Sequence, residues 1–199
     1  MTDEMKTEKP EQMDERNMKI LSSISLAPYI QLSTELIKKG RKAGGNMYRH
    51  QMDTLAILID YSYIDPVLLK ASVIHDCIED IPNYDKNLIK NIDADGEAVL
   101  NLVMQVTKRN SEAKDEFLKR IIHTGSHKAK ILKCADRISN MTALGFVTEP
   151  KFIHKVCEET EAFILPMAIE VDFNMYSELI SLLESRMRYL ESTGFYDRK

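Results

Sequence analysis

The hexamer His-Asp-Cys-Ile-Glu-Asp, which begins at His75, places one imidazole and three carboxylates in six positions. Its flanking residues are mostly apolar, and this pattern predicts one buried helix over residues 66–81. On such a helix His75 and Glu79 are four residues apart, as are Asp76 and Asp80, so these side chains share one broad side. Carboxylates without a partner are costly to desolvate there. A divalent cation removes that problem, because it binds imidazole nitrogen and carboxylate oxygen and supplies the opposing charge.

Further ligands for such an ion must come from other helices, because His75 and Asp76 supply only two. His50 begins the preceding predicted helix, just after the loop RKAGGNMYR. Asp136 lies in the apolar helical run ILKCADRISNM, where a lone acid needs a partner. The four residues form a mixed nitrogen and oxygen set with room for water. This set favours Mn²⁺ or a similar first-row ion over a closed structural zinc site.

Glu79 and Asp80 are acids that the metal site does not need as ligands. A carboxylate beside a divalent cation can take a proton from water or orient the water, so we predict that at least one of the two is catalytic. The alternative is a structural role, in which the histidine is a hydrogen-bonded core residue and the acids pair with Arg41 or Arg137. We favour the metal site because two further ligands are available. His50 supplies one upstream of the hexamer, and Asp136 supplies one downstream, in the later apolar run.

Two stretches that contain no acid lead into the proposed ligands, one between Glu35 and Asp53 and one between Glu116 and Asp136. The charged residues of both stretches are lysines and arginines. In a chain of net charge −4, such local positive charge suits a phosphorylated small molecule and steers it inward. Arginine suits both phosphate binding and stacking on a base. The predicted substrate contacts are therefore the two basic residues beside the glycine-containing loop, Arg41 and Lys42. The residues alone thus indicate a metal-dependent phosphohydrolase of small anionic substrates.

The remainder of the sequence has the features of an all-α protein. Its 199 residues, 44% of them hydrophobic, favour one domain with its own core. Apolar residues recur with the helical period, for example at 99, 102, 103 and 106, and alternating strand-like runs are essentially absent. We predict a single-domain bundle of about eight helices over 18–192, between a flexible N-terminal tail (1–17) and a C-terminal tail (193–199).

Charge and composition argue against several functional classes. The net charge of −4 and a pI near 5.8 do not suit a surface that binds nucleic acid or anionic lipid. The N-terminal residues lack the apolar core of a secretory signal, and no apolar run approaches the length that crosses a bilayer. The three cysteines are an odd number and far apart, which indicates reduced thiols. Together these features predict a cytoplasmic protein.

Three sequence blocks, taken together, resemble those of a known family. RKAG with a following histidine, then HDCIED, then ADRISNM stand in the order of the RKxG…H, HDxxED and ADRxxNM blocks of HD-domain hydrolases. The combination is similar to the hydrolase domain of RelA/SpoT-type alarmone enzymes. VTK at 106–108 and ETEAFILPMA at 159–168 also match that layout, so the resemblance covers residues 20–185. It implies the HD-domain fold and, since the synthetase domain of long members does not follow, a stand-alone small alarmone hydrolase.

The resemblance also implies an activity and a role for each matching residue. The activity is Mn²⁺-dependent removal of the 3′-pyrophosphate of (p)ppGpp-type alarmones, small-molecule nucleotides, giving GDP or GTP plus pyrophosphate. The implied roles are metal binding by His50, His75, Asp76 and Asp136, water activation by Glu79 and Asp80, and nucleotide contacts by Arg41, Lys42 and Asn140.

Two alternatives to this activity stay open. One is an HD-domain hydrolase of a related nucleotide: an adenosine alarmone hydrolase, a nucleotidase or a phosphatase. The other is a catalytically idle, alarmone-binding regulatory protein. The sequence departs from the family pattern at Met47, at Gln51, where a proline is usual, and at Ala143. These departures leave the choice between guanosine and adenosine alarmones open.

Overall fold

The computed structural model describes residues 15–196, and helices dominate this part of the chain. The predicted tails, 1–17 and 193–199, lie largely outside the described residues. Of the first tail, Glu15–Asn17 are described and begin the first helix; of the second, Thr193–Tyr196 are described. Within the described range, no helix has both the length and the apolar character needed to span a lipid bilayer.

The all-α prediction is confirmed, and the described residues form no strand. Seven of the helices in this range have nine residues or more, close to the expected eight. The helices are α1 (Glu15–Ser23), α2 (Ala27–Ser33), α3 (Met47–Asp60), α4 (Pro66–Ser72), α5 (Cys77–Asp80), α6 (Asn87–Lys90), α7 (Gly96–Val106), α8 (Lys114–Thr124), α9 (His127–Ala143), α10 (Pro150–Glu159), α11 (Leu165–Val171) and α12 (Phe173–Ser192). Short 3₁₀ turns lie at Thr34–Lys38 and Leu144–Phe146, and a π-helical turn lies at Thr160–Ile164.

Capping residues fix where the helices around the site begin. The side chain of Asn46 accepts a hydrogen bond of 2.9 Å from the Arg49 N–H, and α3 starts at the next residue. This cap places His50 on the first turn of α3. Asp65 caps α4 in the same way, with Pro66 at the first helical position, where a missing N–H costs nothing.

Helix α9 lies at the centre of the bundle, with α3, α7, α11 and α12 packed against it. Every side chain from Ile131 to Ser139 is buried. This stretch includes three charged residues, Lys133, Asp136 and Arg137. Because a buried charge is stable only when it is paired, these side chains must find partners inside the protein. The charged segment of α9 is therefore where we expect a functional site.

The prediction of one continuous helix over 66–81 is wrong, because a tight turn separates α4 from α5. His75 and Asp76 lie in that turn. The Nδ1–H of His75 donates a hydrogen bond of 2.7 Å to the carbonyl oxygen of Ser72, which in a continuous helix would accept from Asp76 N–H. The Cys77 N–H bonds three residues back, to Ile74, as in a 3₁₀ turn.

Candidate metal centre and substrate pocket

The four predicted metal ligands lie together at the centre of the bundle. His50 Nε2 is 3.0 Å from Asp136 Oδ1 and 3.5 Å from Asp76 Oδ2. His75 Nε2 is 3.3 Å from the same oxygen of Asp76 and 3.9 Å from Asp136 Oδ1. Three of the side chains are buried, and that of Asp76 is 24% exposed, which leaves the cluster open on one side. The structure thus brings these residues together, and metal binding by them stays a prediction.

The hydrogen bonds of the two histidines fit a metal ion. Because Nδ1–H donates to Ser72, Nε2 is the nitrogen whose lone pair a neutral His75 offers, and this buried nitrogen has no hydrogen-bond partner among the described residues. His50 Nδ1 lies 2.8 Å from the hydroxyl oxygen of Ser139, which leaves His50 Nε2 to face the carboxylates. A ligating histidine usually donates its other N–H to an oxygen in this manner. Because a buried polar atom without a partner is unfavourable, the orphaned nitrogen favours a bound cation.

The electrostatics of the cluster also favour positive charge. Burial lowers the pKa of His75, but the carboxylates of Asp76 and Asp136 outweigh burial and raise it to about 9. Burial acts to raise the pKa of Asp136, but the ammonium group of Lys133 and the hydrogen bond with His50 hold it well below its usual range. The carboxylate of Asp136 therefore stays ionised at neutral pH, and a proton on His75 balances part of its charge when no cation is present.

Asn140 links the metal centre to the predicted substrate loop. Its Nδ2 donates a hydrogen bond of 2.6 Å to Asp136 Oδ1, and its Oδ1 accepts one of 2.8 Å from Arg41 Nη2. Arg41 belongs to a loop that is closed at its base, where the Met47 N–H donates to the Lys39 carbonyl over 2.9 Å. The predicted substrate contact Asn140 thus lies one hydrogen bond away from a proposed ligand, and Arg41 lies two.

The conformation of this loop depends on its two glycines. Gly44 has a φ of 84° and Gly45 a φ of 68°, values that side chains other than glycine rarely adopt. The Arg41 N–H then donates to the Gly45 carbonyl over 3.2 Å and closes the turn. The glycines therefore let Arg41 face the bundle.

A strongly basic cavity of about 670 Å³ adjoins the metal centre. Lys133 and Asn140, both bonded to Asp136, form part of its wall. Seven basic side chains line it against two acidic ones, and the basic ones are Arg41, Lys42, Lys114, Lys133, Arg137, Lys151 and Lys155. The volume lies within the range of about 300–1,000 Å³ of small-molecule sites. Its excess of positive charge suits a ligand with several phosphate groups.

The residues that line this cavity without a role predicted from the sequence include Lys114, Lys151, Phe152 and Lys155. Lys114 begins α8, and the other three lie on the first turns of α10. The ammonium group of Lys42 lies 4.5 Å from the centre of the Phe152 ring, so the cavity also has an aromatic wall. The spacing of Lys151 and Lys155, four apart after Pro150, was the available signal, because it puts both on one face of a helix.

A second cavity, of about 900 Å³, lies against the same loop but has a different character. Its charges are mixed: Arg49 stands with the basic loop residues against Asp53 and Glu178. Phe146, which is 81% exposed, lines part of it. With less excess positive charge, this cavity suits a polyphosphate less well than the first one.

The carboxylates of the two spare acids have partners of their own and, in the described structure, form no hydrogen bond to the side chains of the four ligands. Glu79 accepts a hydrogen bond of 3.1 Å from the backbone N–H of Lys108, and Asp80 pairs with the ammonium group of Lys39. Neither pairs with Arg41 or Arg137, the alternative considered from the sequence. Burial raises the pKa of Asp80, although the hydrogen bond from Lys39 opposes it. A carboxylate with a raised pKa is a better proton acceptor, which suits a general base.

Ser139 is expected to tune the metal centre through His50. Replacing it by alanine removes the hydroxyl that orients the imidazole, so we expect Mn²⁺ to bind about 10 to 100 times more weakly. Calorimetric titration with Mn²⁺ measures the change. Ser72→Ala is the matched control, because the backbone carbonyl that holds His75 remains and only a bond to the Leu69 carbonyl is lost. Equal Mn²⁺ affinity of Ser139→Ala and the wild type would contradict this role.

Comparison with known proteins finds similarity in solved structures. No family model matches the sequence, and no curated protein matches it. The chain is similar to the solved structure of a metazoan ortholog of SpoT, which is described as hydrolysing ppGpp and playing a role in starvation responses. The TM-score is 0.65 at 19% sequence identity, over 87% of this chain and 96% of that one. This likeness confirms that the chain has the expected all-α HD-domain fold.

Proposed function

We propose that this protein hydrolyses the 3′-pyrophosphate of (p)ppGpp-type alarmones with the help of Mn²⁺ or another divalent first-row ion. The observation that carries the proposal is the contact between the two halves of the site. Asn140 joins the proposed ligand Asp136 to Arg41, at the wall of a basic cavity. A phosphate group in that cavity is therefore beside the metal centre. The likeness in fold to a ppGpp hydrolase supports the choice of substrate class.

The proposed ligands are His50, His75, Asp76 and Asp136. A cation bound there would lower the pKa of water and offset the negative charge of the phosphate oxygens. The buried histidines are held by Ser139 and by the Ser72 carbonyl, so they need little rearrangement to bind. Asp76 lies at the exposed side of the cluster, where solvent and substrate can enter.

The reaction breaks the bond between the 3′ oxygen of the ribose and its phosphorus. The hydroxyl of a water molecule adds to that phosphorus, and the proton of the water ends on the 3′ oxygen. The products are GDP or GTP with a free 3′-hydroxyl, and pyrophosphate. We assign removal of the proton from water to Asp80 or Glu79, which follow Asp76 within one turn of helix.

The substrate contacts that we propose lie on two elements that line the cavity. Arg41 and Lys42 come from the glycine loop, and Asn140 from α9. Arginine can bind phosphate through two parallel hydrogen bonds or stack on a base. The basic residues of α8 and α10 that also line the cavity suit the second phosphate chain of a bisphosphorylated nucleotide.

The cysteines agree with the proposed cytoplasmic setting. All three are buried and unpaired. Burial raises the pKa of Cys134 to about 12 and that of Cys157 to about 11, so these thiols are poor nucleophiles at neutral pH. Buried, reduced thiols are typical of compartments that keep cysteines from forming disulfides.

Incubation with a panel of guanosine and adenosine alarmones plus Mn²⁺, followed by chromatography of the products, tests the proposed function. We expect a nucleoside diphosphate or triphosphate together with pyrophosphate, and we expect EDTA to abolish the reaction because it removes the cation. Activity that survives EDTA would contradict the metal-dependent reaction.

Parallel samples with ordinary 5′-nucleotides separate the alternatives. Release of phosphate from 5′-nucleotides, with alarmones left intact, would favour a nucleotidase or a phosphatase. Alarmone binding without any turnover would favour an idle regulatory protein. The relative rates with guanosine and adenosine alarmones show which base the protein prefers.

A further inference from the structure

We propose that Gln51 is a positioning residue of the metal centre, because its side-chain amide holds both the carboxylate and the backbone N–H of Asp76. The inference rests on the metal centre of the proposed function and deepens it. Gln51 follows His50 directly on α3, and its side chain is fully buried, at 0% exposure.

The turn leaves the backbone N–H of Asp76 without the acceptor that it would have in a helix. In a continuous helix the Asp76 N–H would donate to the Ser72 carbonyl, four residues earlier. That carbonyl accepts from His75 Nδ1–H instead. A backbone N–H inside the protein needs a partner, and Gln51 Oε1 accepts from the Asp76 N–H over 3.4 Å. Gln51 therefore stabilises the turn that directs His75 and Asp76 toward the other ligands.

Gln51 also binds the carboxylate of Asp76. Gln51 Nε2 donates a hydrogen bond of 2.9 Å to Asp76 Oδ2. The same oxygen lies within 3.5 Å of the Nε2 atoms of both histidines, so it is the oxygen that faces the metal position. A carboxylate oxygen has two lone pairs, and the bond from Gln51 leaves one of them for a cation. The amide thus fixes the rotation of the carboxylate.

The chemistry of the two partners determines the orientation of the amide. A backbone N–H only donates, so the carbonyl oxygen of the amide must face it, and an ionised carboxylate only accepts, so the NH₂ group must face that. Flipping the amide would put both contacts in conflict. Gln51 is therefore locked in one orientation by Asp76, and Asp76 by Gln51.

The experiment measures Mn²⁺ affinity in the full chain without nucleotide, from the EPR signal of free Mn²⁺. Gln51→Met keeps the length of the side chain and removes both hydrogen bonds. We expect its Mn²⁺ dissociation constant to rise about 10- to 100-fold, the usual effect of losing an outer-sphere partner of a ligand. The Mn²⁺ concentration for half-maximal activity rises by the same factor, while the KM for the nucleotide does not change.

Thr54→Val is the matched control, because Thr54 is also fully buried on α3 and bonds the His50 carbonyl over 3.0 Å without reaching Asp76. We expect this variant to bind Mn²⁺ like the wild type. A second measurement needs no variant: the side-chain amide protons of Gln51 are expected to exchange slowly and to shift in the NMR spectrum of the wild type as Zn²⁺ is added.

Two results would overturn the inference: wild-type Mn²⁺ affinity in Gln51→Met, or a Gln51 amide signal that Zn²⁺ leaves in place. Both readouts are independent of the substrate. A wild type that hydrolyses alarmones while Gln51→Met binds Mn²⁺ normally therefore contradicts the role of Gln51 alone. Weakened Mn²⁺ binding in Gln51→Met without turnover of any alarmone by the wild type contradicts the proposed function alone.

Discussion

Replacing His75 by alanine is expected to abolish alarmone hydrolysis and to remove Mn²⁺ binding. His75 offers the buried nitrogen that has no other partner, so its loss deprives the cation of a preorganised ligand. A metal ion contributes several kcal/mol to stabilising charge in the transition state, and about 4 kcal/mol is about a thousandfold in rate. We therefore expect kcat/KM to fall at least about a thousandfold. Chromatographic assays at saturating Mn²⁺, together with calorimetry, measure both effects.

His123→Ala is the matched control for this variant. His123 is an exposed histidine on α8 that does not belong to the cluster, so its replacement removes the same side chain from the surface. We expect it to retain wild-type activity and Mn²⁺ binding. Hydrolysis at the wild-type rate by His75→Ala would refute the proposed ligand set, even if other residues bound a cation.

Neutralising the spare acids is expected to slow turnover without loss of Mn²⁺ binding or nucleotide binding. Asp80→Asn and Glu79→Gln keep the size of each side chain and remove its ability to take a proton from water. A general base contributes about 10²- to 10⁴-fold to a rate, so we expect kcat to fall by that amount for the residue that acts as base. The raised pKa of Asp80 makes it the better candidate of the two. Steady-state kinetics, with separate measurements of Mn²⁺ and nucleotide binding, distinguish this effect from a loss of binding.

Asp85→Asn serves as the control for the acids. Asp85 is an exposed acid five residues beyond Asp80, and its hydrogen bond to the Asn87 N–H can be kept by an asparagine. We expect unchanged kcat. If both Glu79→Gln and Asp80→Asn turn over substrate like the wild type, neither acid is the base. If the wild type binds nucleotide and none of these proteins turns it over, the chain is an idle alarmone-binding protein.

The sequence was sufficient to predict the all-α fold and the convergence of the four proposed ligands. The fold prediction depends on the helical period of the apolar residues. The convergence depends on burial: an ionisable residue in an apolar helical run needs a partner, and Asp136 and His75 stood out for that reason. The buried charged side chains of α9 therefore had to pair with other polar groups inside the bundle. The physical requirement could be read from the residues before any distance was known.

The turn at His75 and Asp76 could not be read from the hydrophobic pattern. A period of apolar residues is the same for an unbroken helix and for two helices joined by a tight turn. The break depends on two hydrogen bonds. The side chain of His75 donates to the Ser72 carbonyl, and Gln51, on another helix, accepts from the N–H of Asp76 that is thereby left without its helical acceptor. Such tertiary hydrogen bonds leave no local periodic signal.

The walls of the basic cavity were predicted only in part, because most lysines are simply solvated. Arg41 and Lys42 stood out beside the glycine loop. Lys114 and Lys155 lie more than 70 positions beyond Lys42, and only the packing of α8 and α10 brings them to the same cavity. The partners of the spare acids are equally non-local, since Asp80 pairs with Lys39 across 41 positions.

The number of Mn²⁺ ions bound by the wild type in equilibrium dialysis, compared with that of Asp136→Asn, tests the metal centre most directly. Asparagine keeps the shape of Asp136 and can still accept hydrogen bonds, so a change reports the lost charge and ligand oxygen. The proposed centre requires one tightly bound Mn²⁺ per wild-type chain and none per Asp136→Asn chain under the same conditions. A wild type that retains no Mn²⁺, or an Asp136→Asn variant that retains as much, would contradict it.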